Sequence, residues 1–485
     1  MGLSIEALPA ADQDALSGER EGEILKDKAF TQGGAFLWRR ASTRGEVEEA
    51  NLADIEKQKI AQGAANFHRL GWKRLVIVLV VEAIALGSLS LPGAFAKLGM
   101  VAGVICCVGI GIIAMYTSYV VGQVKIKFPE VSHYADAGRL MMGRFGYEFV
   151  GAMFVLQLVC TLGSHALTGT IALDNLTNNG ACSIVFSVVS AVVLFLLAIP
   201  PAFADLAILG YIDFASILIA IVFTMIATGV EAHQDPGGLS AVNWSAWPQE
   251  GLSLAEAFIP ILDIVFAYSF AMCQFSFMDE MHTPTDFPKS IVALGTFEIV
   301  IYTLTGAIIY AFVGQDVSSP ALLSAGEIPS KVAFGLALPV IFISGSINTT
   351  VVSRYIHGRI FQGSVIRYIN TPMGWITWLV LIAVVTVVAW IIAEAIPFFS
   401  DLLGVISSLF VSGFTFYLPA AMWFMLIKEG PWYERRNLGL SLTNAACFII
   451  GLVVLGVGTY ASVWDIIRQY NEGTVHGSFS CAPVG

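Results

Sequence analysis

Eleven apolar runs, each near the 20 residues a helix needs to cross a bilayer, leave this chain of 485 residues few folds other than a membrane-embedded helical bundle. The runs cover roughly residues 75–96, 100–122, 149–173, 183–199, 207–230, 253–277, 290–313, 332–353, 373–393, 402–427 and 441–464. Lipid offers no partner to a backbone amide, so each run has to be a helix. Composition agrees: 13% of residues are charged, where a soluble chain carries about 25%. The expected fold class is an all-α polytopic membrane protein with a disordered polar tail (1–70), a transmembrane domain (71–465) and a short tail (466–485). A net charge of −11 without a basic stripe argues against a nucleic-acid partner, and the lipid bilayer is the expected one. No secretory signal peptide is visible, and Glu6 stands where a myristoylation signal needs Ser or Thr.

Basic residues orient the bundle. With a cytoplasmic N-terminus, sixteen flanking lysines and arginines face inward, among them Lys73, Arg74, Lys125, Lys127, Arg359 and Arg436. Only Lys97, Lys331 and Arg468 face outward, a strong positive-inside bias. An odd span count then places the C-terminal tail outside. The plasma membrane is the expected location, with the vacuolar membrane as the alternative. Asn243-Trp244-Ser245 in the outer loop of residues 231–252 is a glycosylation acceptor pattern, better placed than Asn175 at a membrane edge. Cys182 and Cys481 both fall in outer segments, where a disulfide between them is permitted. Arg39-Arg40-Ala41-Ser42 resembles a basic-directed phosphorylation site at Ser42, although such short motifs recur by chance.

The first run carries its own interruption, Glu82-Ala83-Ile84-Ala85-Leu86-Gly87-Ser88-Leu89-Ser90-Leu91-Pro92-Gly93. Proline removes a backbone donor and glycine loosens a helix. Irregular backbone at membrane depth survives where it lines a cavity, and broken spans point to transporter binding sites. The alternative is a plain proline kink. The sixth run also carries a proline, Pro260, with carboxylates at Glu256 and Asp263 and a polar patch at Tyr268-Ser269. If spans 1–5 and 6–10 repeat, five being odd, the halves are inverted. That arrangement is a five-plus-five inverted repeat with discontinuous helices 1 and 6, plus an eleventh helix.

Within the runs no lysine or arginine takes an interior position, while Glu82, Asp213, Glu256, Asp263, Glu298 and His165 do. A carboxylate without a basic partner in a low-dielectric site can hold and release a proton. Glu82, Asp213 and Asp263 are therefore the proton-coupling candidates, each weighed against a hydrogen-bonded structural carboxylate. His165, between Ser164 and Thr168, is either a wet-face relay or a satisfied core histidine. No HExxH, Walker, GxSxG or paired-cysteine spacing is present, so neither an enzyme, a cofactor nor a metal site is expected.

At these residues the chain resembles the fungal neutral amino acid permeases of the amino acid/auxin permease family. The resemblance spans about residues 70–465. It rests on Glu82 to Pro92, Ala135-Asp136-Ala137-Gly138, Gly163 to Thr168, Phe266-Ala267-Tyr268, Asp286 to Lys289, Ser346-Ile347-Asn348 and Tyr355 to Phe361. It implies an eleven-helix member of the amino acid–polyamine–cation superfamily that takes up neutral amino acids with protons. It also implies that backbone at the two breaks holds the substrate, through Ala85, Gly87, Ser88, Leu89 and Ser90 and through Ala267, Tyr268, Ser269, Phe270 and Ala271. Ser164, His165, Asn348 and Thr349 are the implied flanking residues. Where the family pattern continues Ala-Gly-His, this chain has Ser269-Phe270-Ala271, so a bulky ring stands beside the expected side-chain pocket. A smaller or different substrate follows. Two alternatives stay open: an amino-acid-sensing receptor on the same fold, and sodium coupling through oxygens of Thr349 and Thr350.

Overall fold

The computed structural model describes residues 71–485 apart from 202, 235–236, 249, 280, 363, 370, 473–477 and 483–485. Ser42 and the rest of the N-terminal tail lie outside the described residues, as do the side chains of Glu82 and Ala85.

Each apolar run falls on helix. The helices are α1 (Trp72–Leu98), α2 (Met100–Lys127), α3 (Tyr134–Thr177), α4 (Ser183–Leu197), α5 (Phe203–Gln234) and α6 (Leu254–Ala267). They continue with α7 (Gln274–Asp279), α8 (Phe287–Val313), α9 (Glu327–Ile360), α10 (Pro372–Ala395), α11 (Phe399–Ile427) and α12 (Arg435–Glu472). Among the described residues, eight helices are long and apolar enough to cross a membrane, or nine if the bent pair at α6 and α7 is one span. The protein is an all-helical polytopic membrane protein. Most helices overrun their apolar windows. α3 begins at Tyr134, fifteen residues before its apolar window opens, because a polar first segment joins the span at Gly143, whose φ of 64° only glycine adopts readily.

Burial sorts the helices into layers. α3, α9 and α11 are mostly covered by protein, whereas α2, α10 and α12 present wide apolar faces such as Val380, Val384, Val387 and Ile391. Exposed apolar area on that scale belongs against lipid tails. α1 packs on α6 and α8, α3 packs on α9 and α10, and α12 packs on α11 and α6. α1 and α6 therefore meet in the middle of the bundle.

The two interruptions turn out differently from expectation. α1 is not discontinuous: it runs unbroken through Gly87 and Pro92 to Leu98. The hydroxyls of Ser88 and Ser90 turn back onto the carbonyls of Ile84 and Gly87, at 2.8 and 3.0 Å, which keeps both buried serines satisfied within the helix. The glycine serves packing instead. A Cβ at Gly87 would lie 2.7 Å from Ala267 Cα, so α1 and α6 touch backbone to backbone here, as small residues allow between membrane helices. The sixth span does break: α6 stops at Ala267, a tight 3₁₀ turn covers Ser269–Cys273, and the axis bends by 42° before α7. Replacing the family's glycine by Phe270 does not straighten this segment.

A disulfide joins Cys182, between α3 and α4, to Cys481 beyond α12, with Cα atoms 4.5 Å apart. The other cysteines form no disulfide, and Cys107, Cys273 and Cys447 are buried.

Candidate functional site

At the crossing of α1 and α6 the chain encloses a cavity of about 20 Å³, lined by Ala83, Thr161, His165, Phe266, Ser269, Met272 and Asn348. It lies between the middle of α1, the middle of α3, the α6 break and the middle of α9. Three of the residues singled out in the sequence, His165, Ser269 and Asn348, come together here. Ala83 and Phe266, which fall in stretches that carry the resemblance, join them, as do Thr161 and Met272, which no sequence motif distinguishes from ordinary core residues.

Two polar groups in the wall have defined partners. His165 Nδ1 lies 2.8 Å from the carbonyl of Ile341; a carbonyl only accepts, so Nδ1 carries a proton and donates. In the neutral ring Nε2 is then an acceptor. Asn348 donates from Nδ2 to Ser344 O at 3.2 Å, and its Oδ1 is buried without a hydrogen-bond partner among the described residues. An unpaired buried acceptor costs about 1–3 kcal/mol, which a donor entering the cavity would recover. Phe266 and Met272 make the rest of the wall apolar. Among the described residues no Asp, Glu, Lys or Arg lines it.

Tyr302 of α8 fastens the crossing. Its hydroxyl lies 2.8 Å from Ala83 O and 3.1 Å from Ala267 O, so one proton is shared between a carbonyl of α1 and the last carbonyl of α6. Its ring packs edge-on against Tyr268, whose hydroxyl meets Cys107 Sγ at 3.4 Å. Tyr268 O in turn accepts from Thr415 Oγ1 at 3.4 Å, in a π-helical stretch of α11. Wide helical turns of this sort are frequent at functional sites. Tyr302 was not marked in the sequence, since a tyrosine in an apolar run carries no signature of its distant partners.

The remaining candidates lie outside the cavity wall. Leu89, Phe270 and Ala271 are buried in the core. Ser164 donates to Thr161 O and Thr349 donates to Gly345 O, each bonding back within its own helix. Asp213 is fully buried in α5, and neither of its oxygens has a hydrogen-bond partner among the described residues. Asp263 is buried on α6 beside Ser400 and Asp401. Asn243 is exposed in the loop between α5 and α6.

Ion pairs join helices at both ends of the bundle. At one end Lys125 is only 4% exposed and donates to Asp279 at 2.6 Å and to the carbonyls of Pro129 and Val131. Beside it His133 Nδ1 meets Ser276 Oγ at 2.9 Å. These bonds hold α7 against the start of α3. Burial pushes the His133 imidazole down to about 4, helped by Arg354 and Arg367 and opposed by Asp136 and Asp279. At the other end Arg468 of α12 pairs with Glu256 of α6 and with Asp465.

The sequence matches the transmembrane amino acid transporter protein family over residues 68–464. It is 61% identical over 443 residues to the N amino acid transport system protein of Neurospora crassa, covering 91% of this chain and 94% of that one. A transmembrane transporter of Gibberella moniliformis is 29% identical over 445 residues, with 90% and 92% covered. Amino acid permease 2 of Arabidopsis thaliana is 22% identical over 436 residues, with 81% and 87% covered. Relatives so named are carriers and not enzymes. With a fold of buried and lipid-facing helices around a closed central cavity, the chain belongs to the transmembrane amino acid transporter family.

Proposed function

We propose that this amino acid transporter is a secondary carrier that moves neutral amino acids together with protons by alternating access. The observation that carries the neutral specificity is the cavity wall: one unpaired amide oxygen at Asn348, an oriented imidazole at His165, and apolar surface from Phe266 and Met272. The amide oxygen suits a substrate amine, and the backbone that turns at Tyr268 leaves helix-end dipoles for the two charged ends of an amino acid. An uncharged side chain then fits the apolar wall. Because α1 is continuous, the α6 break contributes more of the substrate contact than the Ala85 to Ser90 stretch.

A cavity of about 20 Å³ has room for about one water molecule. Substrate entry therefore requires one end to open, and the Lys125–Asp279 and Arg468–Glu256 pairs are the ties that would alternate. The positive-inside bias assigns the Lys125 end to the cytoplasm and the Arg468 end to the outside of the plasma membrane. The disulfide supports the same count of spans. Cys182 and Cys481 must share a side, so the crossings between them are even in number, and eleven spans leave eight of them from α4 to α12. Asn243 would then be an outer, glycosylated loop residue, and Ser42 an inner, phosphorylated one.

Purified protein in liposomes tests the reading. A panel of the twenty amino acids should show uptake of neutral ones, driven by an inward proton gradient and unaffected when choline replaces sodium. Uptake that follows sodium instead overturns the coupling, and preference for Asp, Glu, Lys or Arg overturns the specificity. Glu82→Gln should abolish gradient-driven uptake and spare exchange.

A further inference from the structure

Away from the cavity wall, at the end that carries Arg468, α6 and the first turn of α11 meet the last turns of α12 and bring four carboxylates together. Glu256 and Asp263 come from α6, Asp401 from α11 and Asp465 from α12. One guanidinium faces them: Arg468 pairs with Glu256, and with Asp465 Oδ1 at 2.6 Å, while Glu472 is the remaining charged group near it. Asp401 and Asp465 are linked through a neighbouring amide. Gln469 Nε2 donates to Asp401 Oδ2 at 2.6 Å and to Asp465 Oδ2 at 3.0 Å. A single amide nitrogen thus clamps both groups, within hydrogen-bonding reach of each other. Asp401 and Asp263 are each 3% exposed, and each keeps an Oδ1 buried without a hydrogen-bond partner among the described residues.

Two carboxylates clamped side by side in a nearly dry site, with one guanidinium facing all four acids, repel one another when both are ionised. One proton between them replaces repulsion by a charge-assisted O–H···O bond. We propose that Asp401 and Asp465 hold one shared proton, forming the uptake site for the transported proton at the Arg468 mouth of the carrier. Asp263, which approaches Asp401 and Ser400 from α6, is the next acceptor: a proton leaving the pair moves from a carboxyl to this carboxylate. Asp263 precedes Ala267 by one helical turn, about 6 Å of rise, so the relay leads to the α6 break. The relay's place in transport rests on the proton-coupled reading above; the shared proton does not.

Infrared difference spectroscopy of the purified full chain in lipid nanodiscs at neutral pH, in H₂O and D₂O, reads protonated carboxyls directly. Asp401→Asn and Asp465→Asn should each lose the same deuterium-sensitive carbonyl band, and the double variant should lose no more than either one. No lost band, or two separate bands that add in the double variant, overturns the pair. Should an Asn variant fail to fold, Gln469→Met removes the clamp and should shift the band; an unmoved band is equally fatal. Uptake by the unmodified protein that ignores the proton gradient, with the shared band intact, sinks the coupling reading and leaves the pair standing. Gradient-driven uptake without a shared band does the reverse.

Discussion

Gly87 of α1 and Ala267 at the end of α6 stand backbone against backbone, so close that a Cβ on Gly87 would lie 2.7 Å from Ala267 Cα and 2.9 Å from its Cβ. Neither side of this contact is the flexible tip of a side chain, so an added methyl group forces the helices apart. Overpacking of this sort costs about 1–3 kcal/mol. Gly87→Ala should lower the thermal midpoint in detergent and abolish uptake. Gly93→Ala, whose new Cβ would meet only Ser319 at 3.6 Å, should leave both nearly unchanged. Equal behaviour of the two variants would show that the crossing tolerates separation.

Tyr302→Phe removes the hydroxyl shared between Ala83 O and Ala267 O while keeping the ring against Tyr268. The loss of one buried hydrogen bond amounts to about 1 kcal/mol. The midpoint should fall by a few degrees, with a larger effect on turnover than on substrate affinity, because the bond joins the two helices and touches no substrate. An affinity loss with turnover intact would place Tyr302 in the binding wall instead.

Asn348→Leu should weaken amino acid binding by roughly tenfold, about 1.4 kcal/mol, since its Oδ1 is the unpaired acceptor of the cavity. Asn348→Asp should favour the substrate's amine at the expense of neutral transport rate. Calorimetric binding of a transported amino acid measures both. Unchanged affinity in the Leu variant would remove Asn348 from the site.

The burial of His133, whose Nδ1 meets Ser276, gives the Lys125 end a pH dependence with a definite sign. The folded imidazole titrates at about 4, below its ordinary 6.5, so the native state favours the neutral ring. Its stabilising contribution is complete above about 6.5 and is lost as pH falls toward 4. The thermal midpoint should drop across that window. His133→Gln, which keeps a hydrogen-bonding group opposite Ser276 and does not titrate, should flatten the drop. A drop of equal size in the variant would assign it to other groups.

Local pattern carried the helices, and contact between distant segments carried most of the site. Each apolar run fell on helix, though helices such as α3 extend well beyond their runs, and the polar patch at Tyr268-Ser269 marked a real break. The stronger-looking signal at Gly87 to Pro92 misled: glycine, serine and proline read as unwinding, yet the serines bond within the helix and the glycine admits Ala267. Which use a small residue serves depends on a helix 180 residues away. Tyr302 and Met272 were invisible for the same reason, each defined by partners that no window contains. Asp263 read as a carboxylate alone, although Asp401 sits beside it.

The Cys182–Cys481 disulfide, spanning a sequence separation of 299, has a consequence for biogenesis. Its second cysteine follows the last helix, so the bond can close only after every span between α4 and α12 has been threaded. The oxidised molecule is thereby a covalent timestamp of finished insertion. A chain stalled midway, or with one span left out, leaves the two thiols apart and unjoined.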